Sequence, residues 1–247
     1  FSQPEIALLR GRVTWTDETR PVESVVFDDV DLVIRNSLRG HALRLDATPP
    51  ASWGQRLSAR GIFKQPLLSR HEGQWQDWDG EAFVDLPQVH LAELGRYVDL
   101  GVALTHGEGA MRAWVDVVDG KPKGAVADVS LQQVQLTTRQ GLESLELSAV
   151  SGRLGAKTLA GGNQFSTEAL QFVTQDGLHW PGGNVQLQLF AQTPSQKERG
   201  TLSADRLDLA ALTQIAARLP LDASVHDSLL RLSPKGVMET LNANWSG

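Results

Sequence analysis

Period-two alternation constrains this chain more than any other feature. Leu43 and Leu45 alternate with polar neighbours in HALRLDA, and Met111, Ala113, Val115 and Val117 do so in MRAWVDVVDG. The same pattern holds for Leu145 and Leu147 in ESLELSA and for Val185, Leu187 and Leu189 in NVQLQLFAQ. Successive side chains of a strand point to opposite faces, so each stretch reads as a strand with one apolar face. Turn signals separate them: Asp119-Gly120, Gly161-Gly162-Asn163, Asp176-Gly177 and Pro181-Gly182-Gly183. Many short strands between such turns predict a mainly β, antiparallel architecture. Two short helices interrupt it, from about His90 to Val98 and from about Leu209 to Arg218. Asp208 is placed to cap the second, with Pro220 past its end. A third helical turn is expected at Asp227–Leu232.

One phrase occurs twice. VDLPQVHLAELGRYVDL begins at Val84, and LSADRLDLAALTQIAARL begins 118 residues later at Leu202. Val89 matches Leu207, Leu91 matches Leu209, Ala92 matches Ala210, Leu94 matches Leu212 and Tyr97 matches Ile215. The apolar–polar–apolar kernel of both copies also appears as Val30-Asp31-Leu32, Val134-Gln135-Leu136 and Leu170-Gln171-Phe172. The spacing suggests a sheet lengthened by repeated strand groups. Such a sheet must bury its long apolar face against a second sheet, a partner, or a ligand as long and apolar as the face.

Composition excludes several classes of function. The net charge is −6 and the basic residues are scattered, so a nucleic-acid partner is not expected. Cysteine is absent, which removes disulfides and thiolate metal sites. No apolar run reaches the roughly 18 residues of a membrane-spanning helix. The chain opens on FSQPEIALLRG without an initiator Met or a leader-like segment and stops at LNANWSG, so a fragment of something longer is expected.

Catalytic signatures are missing. His41, His71, His90, His106, His179 and His226 show no metal-ligand spacing, and neither a GxSxG nor a phosphate-binding loop is present. Gly107-Glu108-Gly109 begins like a dinucleotide fingerprint, but Arg112 holds the third glycine position, so it reads as a turn between strands. In HEGQWQDWDGEAFVDL, Trp75 and Trp78 stand among Glu72, Asp77, Asp79, Glu81 and Asp85. A carbohydrate-active site would use such groups; the plainer reading is a strand–turn–strand with packed tryptophans. Trp53, Trp114, Trp180 and Trp245 are expected as core anchors. No catalytic residue, metal or cofactor is expected.

The C-terminal third carries a fixed order of phrases. Leu207-Asp208-Leu209 with Leu212 is followed by Leu219-Pro220-Leu221. Leu229, Leu232, Pro234 and Gly236 come next, then Leu241 and Trp245. In this order the phrases resemble the YhdP-type AsmA-like family of Gram-negative bacteria. Upstream, WDGEAFVDLPQVHLAELGRYVDLG and GEGAMRAWVDVVDGKPKGAVADVSLQQVQL are similar to the family's middle region, including Gly109, Arg112, Ala113 and Trp114. The resemblance covers roughly Asp28 to Gly247. Family members are several times longer and carry an N-terminal membrane helix, neither of which is in this sequence.

The resemblance implies an elongated, curved antiparallel β-groove with two or three short helices. It implies one elongated region over 1–247, with sub-units 1–125 and 126–247, belonging to an inner-membrane-anchored periplasmic protein. It implies a non-catalytic role: carrying phospholipid acyl chains between inner and outer membrane, with membrane-protein partners at either end. The expected groove lining is Val30 and Leu32, Val134 and Leu136, Leu145 and Leu147, Leu170 and Phe172, and Val185, Leu187 and Leu189. Val89, Leu91, Leu207 and Leu209 enter helices and are expected in the core. The alternatives are a β scaffold or adhesion domain, or a carbohydrate-binding domain, whose apolar faces close on each other.

Overall fold

A computed structural model describes residues 3–66, 75–97, 102–138, 141–192, 197–219 and 223–246. Strands β1 (Glu5–Trp15), β2 (Val25–Asn36), β3 (Gly40–Thr48), β4 (Leu57–Lys64) and β5 (Asp79–His90) come first, followed by helix α1 (Leu91–Tyr97). Two long strands succeed it, β6 (Ala103–Val118) and β7 (Lys121–Thr137). Next come β8 (Leu145–Leu159), β9 (Gly162–Thr174), β10 (His179–Trp180), β11 (Val185–Phe190) and β12 (Arg199–Asp208). Helices α2 (Leu209–Ile215) and α3 (Ala223–Leu232) and strand β13 (Val237–Ser246) complete the order. Among the described residues the chain is mostly β, with one open 13-stranded antiparallel sheet and three short helices. Strand order matches sequence order from β1 to β9, then β11, β12 and β13, with β10 beside β9.

Backbone contacts divide the chain into two compact units, residues 1–97 with 110–127, and 98–109 with 128–247. The β6–β7 hairpin contributes strand segments to each.

Both copies of the repeated phrase fold as the same junction. A strand ends at His90 or Asp208, and a seven-residue helix starts at once. Residues 98–100, the tail of the first copy, lie outside the described residues, as do Pro220, Leu221 and Gly247. In the first unit α1 docks through an aromatic cluster. Tyr97 packs on Trp15 and Trp53 with ring centroids 5.3 and 4.7 Å apart, and Phe27 meets Trp53 edge-on. The Tyr97 hydroxyl donates to the Glu23 carbonyl at 2.8 Å. Beneath them Val25, Val30, Ala47, Leu86, Val89 and Leu91 are buried.

In the second unit Asp208 caps α2, its carboxylate accepting from Ala211 N at 3.0 Å. The helix continues as a 3-10 turn through Arg218, whose carbonyl accepts from the Thr138 hydroxyl at 2.8 Å. Ala211, Ile215 and Ala216 are buried there, as are Val134, Leu145, Leu147, Phe172 and Trp180 of the strands. Leu207 and Leu209 are half-buried. Replacing Asp208 with Ala leaves a first-turn N–H unpartnered. It is expected to cost about 1 kcal/mol, read as a lower urea midpoint at unchanged slope.

Three local expectations need correction. Gly107 and Gly109 lie inside β6, not in a turn, with φ of 137° and 145°. A side chain at Gly109 would collide with the Ser130 carbonyl of β7, so a close strand approach selects the glycine. Trp114 and Trp245 stay about two-fifths exposed and are not core anchors, whereas Trp180 is buried. The third helical element is longer than a turn, running over Ala223–Leu232.

Candidate functional site

Directly opposed residues of antiparallel strands share a face. The registers therefore place the side chains of the paired strands within each unit. In the first unit Ile6, Ile34, Leu43, Gly61 and Ala82 form one row, and Leu8, Leu32, Leu45, Ala59 and Val84 the next. The opposite face is mixed: Glu5, Arg35, Ala42, Ile62 and Glu81 form one row, and Ala7, Val33, Arg44, Arg60 and Phe83 the next. Beyond the aromatic cluster under α1, the apolar rows remain open: Ile6 is 39% and Leu8 40% exposed.

The second unit repeats this arrangement with a cleaner division. One row is Ala156, Phe165, Leu187, Leu202 and Ala243, and its neighbour is Leu154, Thr167, Val185, Ala204 and Leu241. A third row is Thr158, Asn163, Leu189, Gly200 and Trp245. The other face of the same strands is Gly155, Ser166, Gln186, Ser203 and Asn242, then Lys157, Gln164, Gln188, Thr201 and Asn244. The apolar rows are accessible: Phe165 is 46%, Leu154 39% and Leu189 37% exposed. Among the described residues no second sheet packs on either apolar face.

Bulges keep this face in phase along the strands. Arg10, Asp29 and Ala169 have positive φ (51°, 46° and 49°), and each lies at a register shift. An inserted residue resets the parity of the strand beyond it, so Phe27 before the bulge and Val30 after it both turn inward. The kernels Val30-Asp31-Leu32, Val134-Gln135-Leu136 and Leu170-Gln171-Phe172 each begin just after a positive-φ residue: Asp29, Gln133 and Ala169.

The residues expected to line a groove fall into two settings. Val30, Val134, Leu145, Leu147 and Phe172 are buried. Phe172 is stacked on Trp180 with ring centroids 5.5 Å apart, and Leu147 sits opposite the buried Thr174. Leu32, Leu136, Leu170, Val185 and Leu187 are half-buried and Leu189 is exposed. The registers bring Val185, Leu187 and Leu189 together with Phe165, Leu154, Leu202, Leu241, Ala243 and Trp245, which strand-by-strand reading does not single out. In NQFSTEA, Phe165 between Gln164 and Ser166 carries the same signal in a single apolar residue.

Two carboxylates of the acidic tryptophan segment are engaged in contacts between strands and turns. Asp79 accepts from Asp119 N at 2.9 Å in the β6–β7 turn, and Asp85 pairs with Arg112 at 3.3 Å. Trp78 stacks on His41 at 4.0 Å, and the burial of that imidazole lowers its pKa. His71 and Glu72 lie outside the described residues. Elsewhere Asp176 is held below the usual carboxyl range, first by the Thr174 hydroxyl and then by Arg218. Asp205 accepts from the Asn184 backbone and carboxamide at 2.7 and 2.8 Å. Asp79, Asp176 and Asp205 hold turns and strand ends, and Asp85 bridges from β5 to β6. No metal-ligating cluster occurs among the described residues, and no described helix is long and apolar enough to cross a membrane.

Comparison with curated proteins gave no match, and neither did comparison with solved structures. A family model described as "YhdP protein" matches residues 2–247. That family is associated with lipid transport in general and with no enzyme chemistry, and it implies a periplasmic bridge-like protein. An open sheet with accessible apolar rows within each unit suits such a role, and with the match running over almost its whole length the chain belongs to the YhdP family.

Proposed function

We propose that this chain is a segment of a periplasm-spanning apolar β-track that passes phospholipids between the inner and outer membranes. The observation that carries this reading is the apolar face on which Phe165, Leu154 and Leu189 are exposed and Leu187 is half-buried, backed by rows of polar residues on the other face of the same strands. An acyl chain in water costs about 0.8 kcal/mol per methylene, which contact with such a face recovers. The head group stays in solvent, so no catalytic group and no deep pocket are required. Leu32, Leu136, Leu170, Val185, Leu187 and Leu189 would contact the chains. Val30, Val134, Leu145, Leu147 and Phe172 would hold the packed parts from which the open face extends. In this reading the segment works within a longer protein anchored in the inner membrane, with protein partners at both membranes.

Native mass spectrometry of the purified chain, followed by solvent extraction, tests it. The wild type is expected to carry phospholipid, and a folded Leu136→Asp/Leu187→Asp variant to carry none. A wild type that stays empty after exposure to phospholipid vesicles would sink the reading for this segment.

A further inference from the structure

Two glycines on the apolar faces are not explained by backbone conformation. Gly61 and Gly200 both lack the positive φ that would call for glycine, and glycine weakens a strand interior. Both are buried nonetheless. The space above each is filled by an aromatic ring. A Cβ added at Gly200 would overlap Cζ2, Cε2 and Cη2 of Trp245, its neighbour on β13. On its other side Gly200 faces Leu189 of β11. The indole therefore lies across β12 rather than standing away from the sheet. Gly61 does the same for Phe63 on its own strand: an added Cβ would overlap Cε2 and Cζ of that ring. Gly80 on β5 receives the other edge, its added Cβ falling 2.8 Å from the Phe63 Cδ1.

We propose that Gly200 and Gly61 are seats that keep Trp245 and Phe63 flat on the apolar face, and so fix the clearance left for an acyl chain. The inference rests on the track reading above. A ring lying flat offers a broad apolar floor and closes the gap that a bare glycine would leave. The same ring lifted by a β-branched neighbour would project into the space a lipid occupies. Gly200 and Gly61 are positioning residues: they act through the rings and need not touch the lipid.

The test compares lipid load with fold stability. The chain is incubated with vesicles of phosphatidylethanolamine and phosphatidylglycerol, and carriage is read by native mass spectrometry beside a circular-dichroism melt. Gly200→Val is expected to keep its strand signal yet carry about tenfold less lipid than wild type, the scale of an overpacked contact. Adding Trp245→Ala to it is expected to restore carriage to within about twofold, because the lifted ring is then absent. If Gly200→Val fails to fold, Gly61→Ala with and without Phe63→Ala puts the same question with a smaller added volume. Undiminished carriage in the folded single variant overturns the proposal, and so does a folded double variant that remains empty. A wild type that takes up no lipid overturns the track reading, and the seats with it.

Discussion

Phe165→Asp is expected to strip the second unit of lipid while leaving its fold nearly unchanged. Phe165 sits centrally on the apolar face, opposite Ala156 on β8 and Leu187 on β11, and is 46% exposed. Because the ring is half in water already, its loss should cost at most about 1 kcal/mol of stability. A carboxylate at that place stays solvated in the empty protein. Under an acyl chain it must be desolvated without a partner, at a cost of several kcal/mol. Carriage is therefore expected to fall by about 100-fold or more, since about 1.4 kcal/mol is a factor of ten. Gln164→Asp, one residue away on the opposite face, is the matched control and should carry lipid as wild type does. Native mass spectrometry and a thermal melt on both variants read the contrast. If Phe165→Asp unfolds the chain, the face is a closed core and not a surface for lipid.

Phe172→Ala should behave in the opposite way. Phe172 is on the same strand and is itself apolar, but it is buried and stacked nearly parallel on Trp180. Truncating a buried aromatic leaves a cavity and costs about 3–5 kcal/mol. That is a large share of the roughly 5–15 kcal/mol holding a typical domain together. A urea titration monitored by tryptophan fluorescence should show the loss as a lower midpoint. The fraction that remains folded at low temperature should still carry phospholipid. The reverse result, unchanged stability with lost carriage, would place Phe172 on the lipid surface instead.

The two expectations separate what is legible in the sequence from what is not. Alternation in NVQLQLFAQ puts Val185, Leu187 and Leu189 on one face, because period two is a local property of a strand. The strand-to-helix junctions at His90 and Asp208 are legible for the same reason: cap, apolar spacing and strand end all lie within a few residues. Which apolar residues lie open and which lie packed depends on contacts distant in sequence. Leu147 and Leu187 have the same local pattern, yet one is buried and the other only half-buried. The kernels at Val30 and Leu170 are preceded by a subtler signal. Asp28-Asp29 and Glu168-Ala169 interrupt the alternation by one residue, which is how a bulge appears in a sequence. Trp245 departs from the expected core because a large apolar side chain is a weak witness to burial when a sheet keeps an apolar face in the open. Trp114 departs from it because it packs on Phe83, on the face that also carries Arg44 and Arg60.

Strand order that matches chain order also has a bearing on how the molecule is made. From β1 to β9 each strand pairs with those immediately before and after it. Loop closure is therefore short at nearly every step, and short closures are fast. A chain delivered from its N-terminus can add one hairpin at a time to an edge already in place, long before the last strand is available. At each stage the growing sheet presents a single fresh edge, and the strand that fits it is the next to arrive. Assembly by accretion of this kind needs no distant segment to return, so a nascent chain of any length is already a shorter version of the finished sheet.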